Sequence, residues 1–401
     1  MLVCQDNWNN VMFTAYTTSV STASGNTIMF DNDGGFQAFK LNYKNSFDYS
    51  NGVFTTPING TYAFSLTRNA GSGYGTIAVE RNESKELQFH GGEELYDSIV
   101  PSWLMMLNKG DRIRLTVTNG NISSAISRYT IWSGRLQNNN GVAFSSFVDF
   151  YDIDNTGILS FTKSHFNTGN GFNSNIFKVP RGGIYEFSFM ANSNTGYGQV
   201  KVMKNGFVKL TFFTRAPKFE ASGPSWIMHL QKGDEIWLNV TQGSIASDTD
   251  MNRVFNGILL YPDFSDGLFF CVYHNSSWKS TGYLTFENVL VSNSNRNNML
   301  TATNSKFTAP VTGTYEFAFT ANSAESDYGH VSVYRNTEVH YQMYSSKSDK
   351  STIGSKWIMD LQKGDYIRLN ANKNIHTDSS YNRIFSGKLI QKLHECESSG
   401  E

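Results

Sequence analysis

Phe177-Lys178-Val179-Pro180-Arg181-Gly182-Gly183-Ile184-Tyr185-Glu186-Phe187 is the stretch that decides the fold. Gly-x-Tyr-x-Phe sets aromatics at alternate positions, and alternate side chains of a β-strand share one face. Tyr185 and Phe187 are therefore expected to point into a core, and Glu186 to face out. Pro180 cannot donate to a sheet ladder and fits the strand's start. The stretch returns at Phe54 to Phe64, with Pro57, Gly60, Tyr62 and Phe64, and at Phe307 to Phe317, with Pro310, Gly313, Tyr315 and Phe317. There Thr61 and Ala63 are expected to face outward as Glu186 does.

Three further landmarks recur around it. An apolar strand opens each unit: Val11-Met12-Phe13, Val142-Ala143-Phe144 and Phe269-Phe270-Cys271. Trp103-Leu104-Met105 leads to Lys109-Gly110-Asp111, Trp226-Ile227-Met228 to Lys232-Gly233-Asp234, and Trp357-Ile358-Met359 to Lys363-Gly364-Asp365. Trp132-Ser133-Gly134, Phe255-Asn256-Gly257 and Phe385-Ser386-Gly387 close the units. Proline and tryptophan stand 46, 46 and 47 residues apart, and tryptophan and the closing aromatic 29, 29 and 28. Such constancy marks a triplicated domain. The opening phenylalanine and the proline are 44, 36 and 40 apart, so each front holds a segment of variable length. Variable segments on a fixed scaffold usually carry binding specificity. The expected domains are 8–137, 142–262 and 268–393, joined by short turn-rich linkers.

Lys-Gly-Asp lies between alternating apolar runs, where glycine supplies the positive φ of a hairpin turn. It also reads as an integrin-binding tripeptide, but its recurrence in the same hairpin of every unit favours the turn. No helical periodicity is sustained, and many short strands with frequent turns imply an all-β sandwich or jelly roll.

Composition narrows the function. Aromatics make up 14% of the 401 residues and charged residues 17%, which suits half-buried strands and argues against disorder. A net charge of −1 gives no basic field for nucleic acid or anionic lipid. No apolar run approaches the roughly 20 residues of a membrane-spanning helix. Met1-Leu2-Val3 lacks the basic and apolar regions of a signal peptide, so secretion is either absent or served by a signal removed before this numbering begins. Five Asn-x-Ser/Thr sequons, at Asn59, Asn82, Asn121, Asn239 and Asn275, are candidate glycosylation sites and lend weak support to secretion.

At this point the motifs resemble the complement component 1q globular head, over nearly the whole chain and three times. The matching residues are Val142 to Ser145, Phe177 to Phe187, Gly233 to Leu238 and Phe255 to Leu259 with their repeats. The resemblance implies a jelly roll of tumour necrosis factor type, a trimeric head and a non-enzymatic, extracellular role. Relatives commonly carry a collagen stalk that enforces trimerisation, and no Gly-x-y run is present here. Three heads on one chain are expected to close into an intrachain pseudo-trimer. The expected function is lectin-like or pattern recognition of a carbohydrate or protein surface ligand. The alternative is an adhesive matrix component or a secreted receptor ligand.

Nothing in the chain suggests catalysis: the eight histidines share no repeated position, and no nucleophile elbow or zinc-protease motif occurs. Calcium is the one cofactor to weigh. Relatives bind it near the trimer axis through acidic side chains, and the matching positions are Thr76, Gln199 and His330, none acidic. These three are expected to line the axis as packed polar residues. Asp152 and Asp154 begin a loop like that of an EF-hand, but the twelfth position is Lys163, so a solvated turn is favoured over a metal site. Asp248, Asp250 and Asp378, in the loop before the closing strand, share that ambiguity. Candidate ligand contacts in the front segments are Phe36, Tyr43, Asn45, Phe166, Asn170, Phe172, Trp278, Tyr283 and Asn295, because rings stack on sugars and amides take hydroxyls. Cys4 and Cys396 flank the first and last strands and are candidates for a disulfide, within or between chains. Cys271 is expected as a buried free thiol.

Overall fold

The computed structural model describes residues 3–4, 11–17, 21–30, 41–69, 75–91, 98–123, 130–137, 140–215, 223–249, 252–293, 300–301, 306–324, 328–345, 351–377 and 382–395. The regular structure of these residues is β-strand, antiparallel wherever strands pair, in three domains of one plan.

Domain 2 shows the plan. Its inner sheet runs Lys163–Thr168, Ala143–Val148, Arg253–Tyr261, Gly183–Met190, Ser225–Leu230. Its outer sheet runs Phe172–Asn173, Ile176–Lys178, Glu235–Ser247, Asn192–Lys204, Phe207–Arg215. In every domain the Gly-x-Tyr-x-Phe strand lies between the closing strand and the tryptophan strand. The two sheets enclose the repeated aromatics. Phe64 stacks on Trp103 at 5.6 Å, Phe187 on Trp226 at 5.6 Å and Phe317 on Trp357 at 5.5 Å.

Two glycine positions explain the repeats around these rings. Gly110, Gly233 and Gly364 have φ of +91°, +89° and +94°, the left-handed region that favours glycine. Each donates its N–H to the carbonyl of the residue before the proline, Thr56, Val179 or Ala309. The closing Gly134, Gly257 and Gly387 sit against phenylalanine rings, where an added Cβ would come within 2.3–2.5 Å of Phe13, Phe144 or Phe270. The Asp of Lys-Gly-Asp is also structural. Asp111, Asp234 and Asp365 accept the side-chain amides of Asn82, Asn205 and Asn336 at 2.8, 2.6 and 2.8 Å.

The front segment of domain 2 forms strands. In domain 2, Asp152–Asp154 and Gly157–Ile158 pair with Glu235–Ser247 in the outer sheet, while Lys163–Thr168 joins the inner sheet.

The three domains close into a ring. Ser102–Leu107 of domain 1 packs on domain 2, Ser225–Leu230 of domain 2 on domain 3, and Thr352–Leu361 of domain 3 on domain 1. Cores merge across these contacts: Phe147, Met190 and Val254 join the core of domain 1, and Tyr16 and Ile131 that of domain 3. Buried Cys271 joins the core of domain 2 as a free thiol, its pKa pushed up to about 12 by burial. The chain ends meet as well, Val3–Cys4 pairing with His394–Glu395.

The ring corrects one expectation. Thr61, Ala63 and Glu186 do face out of their own sandwiches, yet all three are buried, because that face meets the neighbouring domains.

Candidate functional site

Two sets of equivalent residues break the threefold repetition, one inside the ring and one on its outside.

Inside, five charged side chains from all three domains meet: Arg135 of domain 1, Glu186 of domain 2, and Glu316, Lys356 and Lys388 of domain 3. Arg135 reaches Glu316 at 2.8 Å and Glu186 at 3.8 Å, Lys356 reaches Glu186 at 2.8 Å, and Lys388 reaches Glu186 at 2.5 Å and also Glu316. All five are 4–6% exposed. They occupy three repeated positions, filled by Ala63, Glu186 and Glu316, by Arg135, Ile258 and Lys388, and by Ser102, Ser225 and Lys356. Burial alone would raise both carboxyl groups, but Arg135, Lys356 and Lys388 outweigh it and hold them below the usual range. The cluster has three cations for two anions, and burial draws Lys388 down to about 8 despite the carboxylates.

Neutral contacts between domains repeat as well. Ser188 donates to the carbonyl of Ser102 at 3.4 Å, and Ser65 to that of Lys356 at 3.4 Å. The third equivalent is Ala318, which has no hydroxyl to give Ser225. Asn252 of domain 2 clasps Gln88 of domain 1 through bonds of 2.6 and 3.0 Å, and Asn382 clasps Thr211 through two of 2.6 Å.

Outside, each outer sheet carries one row of four equivalent, outward-facing positions. Its alignment is fixed by the bonds from Ile28, Leu159 and Leu284 to Leu115, Leu238 and Leu369, and by the pairings Arg114 with Glu80, Trp237 with Met203 and Arg368 with Tyr334. In domain 1 the row is Thr27, Arg114, Glu80, Lys85, and Arg114 is ion-paired to Glu80 at 2.6 Å. It borders a groove of about 230 Å3 lined by Val53, Asn82, Glu83, Arg112 and Arg114. In domain 2 it is Ile158, Trp237, Met203, Val208, all apolar, with Ile158 and Val208 exposed. In domain 3 it is Tyr283, Arg368, Tyr334, Val339. The Arg368 guanidinium lies 3.5 Å over the Tyr283 ring, and Tyr283 meets Tyr334 edge-on at 6.2 Å.

The candidate residues read from sequence fall in varied places. Tyr283 is 47% exposed and belongs to this row. Tyr43 lies where domains 1 and 3 meet and donates to Asp360 at 3.1 Å; burial pushes its hydroxyl up to about 12. Asn45 and Asn170 are exposed turn residues with φ of +46° and +52°. Phe166 and Phe172 pack against the core of domain 2. Trp278 lies in the strand Trp278–Tyr283, and its side chain is outside the described residues, as are Phe36 and Asn295 altogether.

The axial candidates bond within their own domains. Thr76 meets His90 at 3.1 Å, Gln199 accepts from Thr241 at 2.5 Å, and His330 stacks on Tyr344 at 4.3 Å with its pKa lowered to about 4 by burial. Asp152 and Asp154 converge on Arg253 at 2.6 and 2.9 Å, so the chain supplies the cation between them. No group of three or more His, Cys, Asp or Glu suited to a metal occurs among the described residues. Asp248 is described, whereas Asp250 and Asp378 are not.

Of the sequons, Asn82 is bound in the repeated hairpin, Asn59 accepts from the Lys109 N–H at 2.7 Å, Asn239 donates to the Val240 carbonyl at 3.4 Å and Asn275 accepts from Asn288 at 2.9 Å. Asn121 pairs with Ala23 in the outer sheet. Cys4 stands opposite His394, and Cys396 is outside the described residues.

Sequence reasoning missed the axial set and named only Tyr283 of the outer row. Glu186 and Glu316 at one repeated position and cations at another were a visible signal for the axis. The outer row needed the strand register before its members could be lined up.

The C1q domain model matches the chain three times, at residues 12–136, 143–260 and 269–390. The chain is 30% identical over 128 residues to complement C1q tumor necrosis factor-related protein 3 of Mus musculus, covering 30% of this chain and 51% of that protein. It is 24% identical over 106 residues to multimerin-2 of Homo sapiens, covering 26% of this chain and 11% of that protein. The chain thus spans about half the length of the first relative and far less of the second. Among solved structures, the globular domain of zebrafish complement 1qA matches at 20% identity over 31% of this chain and 98% of its own, with a TM-score of 0.26.

Proposed function

The chain belongs to the C1q domain family, and from that premise we propose that it is an extracellular recognition protein, a binder and not an enzyme. It holds three unlike heads in a fixed ring and meets a carbohydrate or protein surface ligand through their outer faces. One observation carries this reading: the outer row is ion-paired in domain 1, apolar in domain 2 and aromatic-cationic in domain 3, on one scaffold. Folding does not require these differences, since the same strands form beneath all three rows. The front segments contribute Thr27, Ile158 and Tyr283, which supports the expectation that variable segments carry specificity. The finer reading is lectin-like, because exposed rings beside polar groups suit sugar faces and hydroxyls.

A glycan array with the whole chain tests it. Retention of a defined glycan class, lost on exchanging a row between domains, is the expected result. If no glycan is retained and extracellular proteins are captured instead, the lectin reading falls and the adhesive or receptor-ligand alternative stands. We also propose a Cys4–Cys396 disulfide at the joined chain ends, and peptide mapping without reductant that finds both thiols free would sink it.

A further inference from the structure

We propose that the outer face of domain 3 binds a carboxylate carried on a sugar ring, with Arg368 as the anion-binding group; this deepens the recognition reading above and rests on it. Domain 1 carries the equivalent arginine already paired. There Arg114 gives its Nε–H to Glu80 at 2.6 Å, so the cation is satisfied within the chain. Domain 3 keeps the arginine, as Arg368, but has Tyr334 where domain 1 has Glu80. Among the described residues no carboxylate lies within ion-pairing distance of Arg368; its Nε is buried and closed to a ligand, so the terminal nitrogens of the fork are the donors it can offer. A guanidinium is always charged and presents a planar fork of donors matched to a carboxylate. The acceptor lost with the exchange of Glu80 for Tyr334 is left for a ligand to supply.

The surroundings select what carries the carboxylate. Arg368 is stacked on Tyr283, which fixes the plane of its fork. Tyr283 and Tyr334 meet edge-on beside it, and Val339 follows Tyr334 in the row, so the apolar surface adjoining the fork is built of rings and one aliphatic side chain. The C–H face of a pyranose packs on such surface. The nearby Lys306 is held 4.0 Å over the Tyr366 ring. Among the described residues of this row Arg368 is the one cation, which fits one carboxylate per sugar unit better than an acidic peptide, which brings several charges and an extended backbone.

The test uses the full chain and oligogalacturonate, a carboxylate on every ring, with its methyl ester as the neutral counterpart. Calorimetric titration is expected to show binding of the acid and little of the ester. Arg368→Gln should weaken binding of the acid about tenfold or more, the size of one charge-assisted contact. Tyr334→Glu restores the internal pair of domain 1, so it should weaken binding as much while leaving Arg368 and the melting temperature in place. Equal binding of acid and ester, or binding of the acid unchanged in both variants, overturns the site. Binding of an acidic peptide but not the oligosaccharide also overturns it. A chain that binds only neutral glycans on an array overturns this site and leaves the recognition reading standing, whereas one that binds no glycan at all defeats the lectin reading as well.

Discussion

The inside of the ring and its outer faces both depart from threefold repetition, but in opposite ways. At the axis the departures complement one another: the glutamates of domains 2 and 3 meet an arginine of domain 1 and two lysines of domain 3. On the outer faces they do not: no row offers a partner to another row. Asymmetry that is satisfied within the molecule specifies assembly, and asymmetry left facing solvent is available to a ligand. A buried ion cluster need not add net stability, but removing one partner leaves a charge stranded in a dry interior. Its clearest effect here is to fix which domain sits next to which.

The largest loss is expected at the axis. Glu316→Gln should cost about 3–5 kcal/mol, because Arg135, Lys356 and Lys388 would then share Glu186 alone. Chemical denaturation reads the loss, and small-angle scattering should show the ring loosening. Arg368→Gln on the outer face should stay within about 0.5 kcal/mol of the parent. Equal losses in the two variants would erase the distinction.

Acid should reach the same cluster. Both carboxyl groups are held below their ordinary range, so their contribution is present above the unfolded value of about 4.3 and is lost as pH falls through the folded values. The melting temperature should fall from pH 5 to pH 3. It should fall less in the Glu186→Gln, Glu316→Gln double variant, which starts lower. Parallel pH profiles would show that other carboxylates dominate acid unfolding.

How much of this was legible in the chain follows from the range of the interactions. Tyr185 and Phe187 announced their strand and core face because alternation is local. Gly110 announced its turn for the same reason. From its own strand Glu186 was legible only as outward, because one strand cannot say that a second and third domain cover its far face; the axis showed only in the aligned repeats, where Glu316 matches Glu186 and Lys388 matches Arg135. Asp152 and Asp154 read as a solvated turn, with a metal site as the alternative, since Arg253, which answers them, stands about a hundred residues away. Tyr43 looked like a ligand contact for the same reason, its partner Asp360 being in domain 3.

The next test compares contacts within the ring. Asn252 and Asn382 each satisfy a backbone N–H and C=O on the neighbouring domain, at Gln88 and Thr211. The equivalent position in domain 1 is Tyr129, which lies outside the described residues. Asn252→Ala and Asn382→Ala should each cost about 1–3 kcal/mol, since each strands a buried N–H. The two sites lie in different interfaces, so the losses should add in the double variant. A coupling energy well above about 0.5 kcal/mol would mean that the ring opens as one unit at all its contacts.

The smallest effect sharpens the comparison most finely. Ser188 and Ser65 make the same inter-domain bond at two interfaces, and Ala318 omits it at the third. Both bonds are long, at 3.4 Å, so each sits at the weak end of the usual range of about 0.5–1.5 kcal/mol. Ser65→Ala should therefore cost roughly 0.5 kcal/mol, and the natural Ala318 shows that the position accepts a methyl group. Ala318→Ser adds one oxygen facing the Ser225 carbonyl and should return a similar amount, provided the added hydroxyl is bonded and not merely buried. If Ala318→Ser destabilises instead, the contact of domains 2 and 3 is closer than its two counterparts, and the ring departs from threefold spacing as well as from threefold chemistry. A rise in melting temperature for Ala318→Ser with a matching fall for Ser65→Ala would mean that the three interfaces share one geometry. The differences that remain among the heads would then be those of charge at the axis and of chemistry on the outer faces.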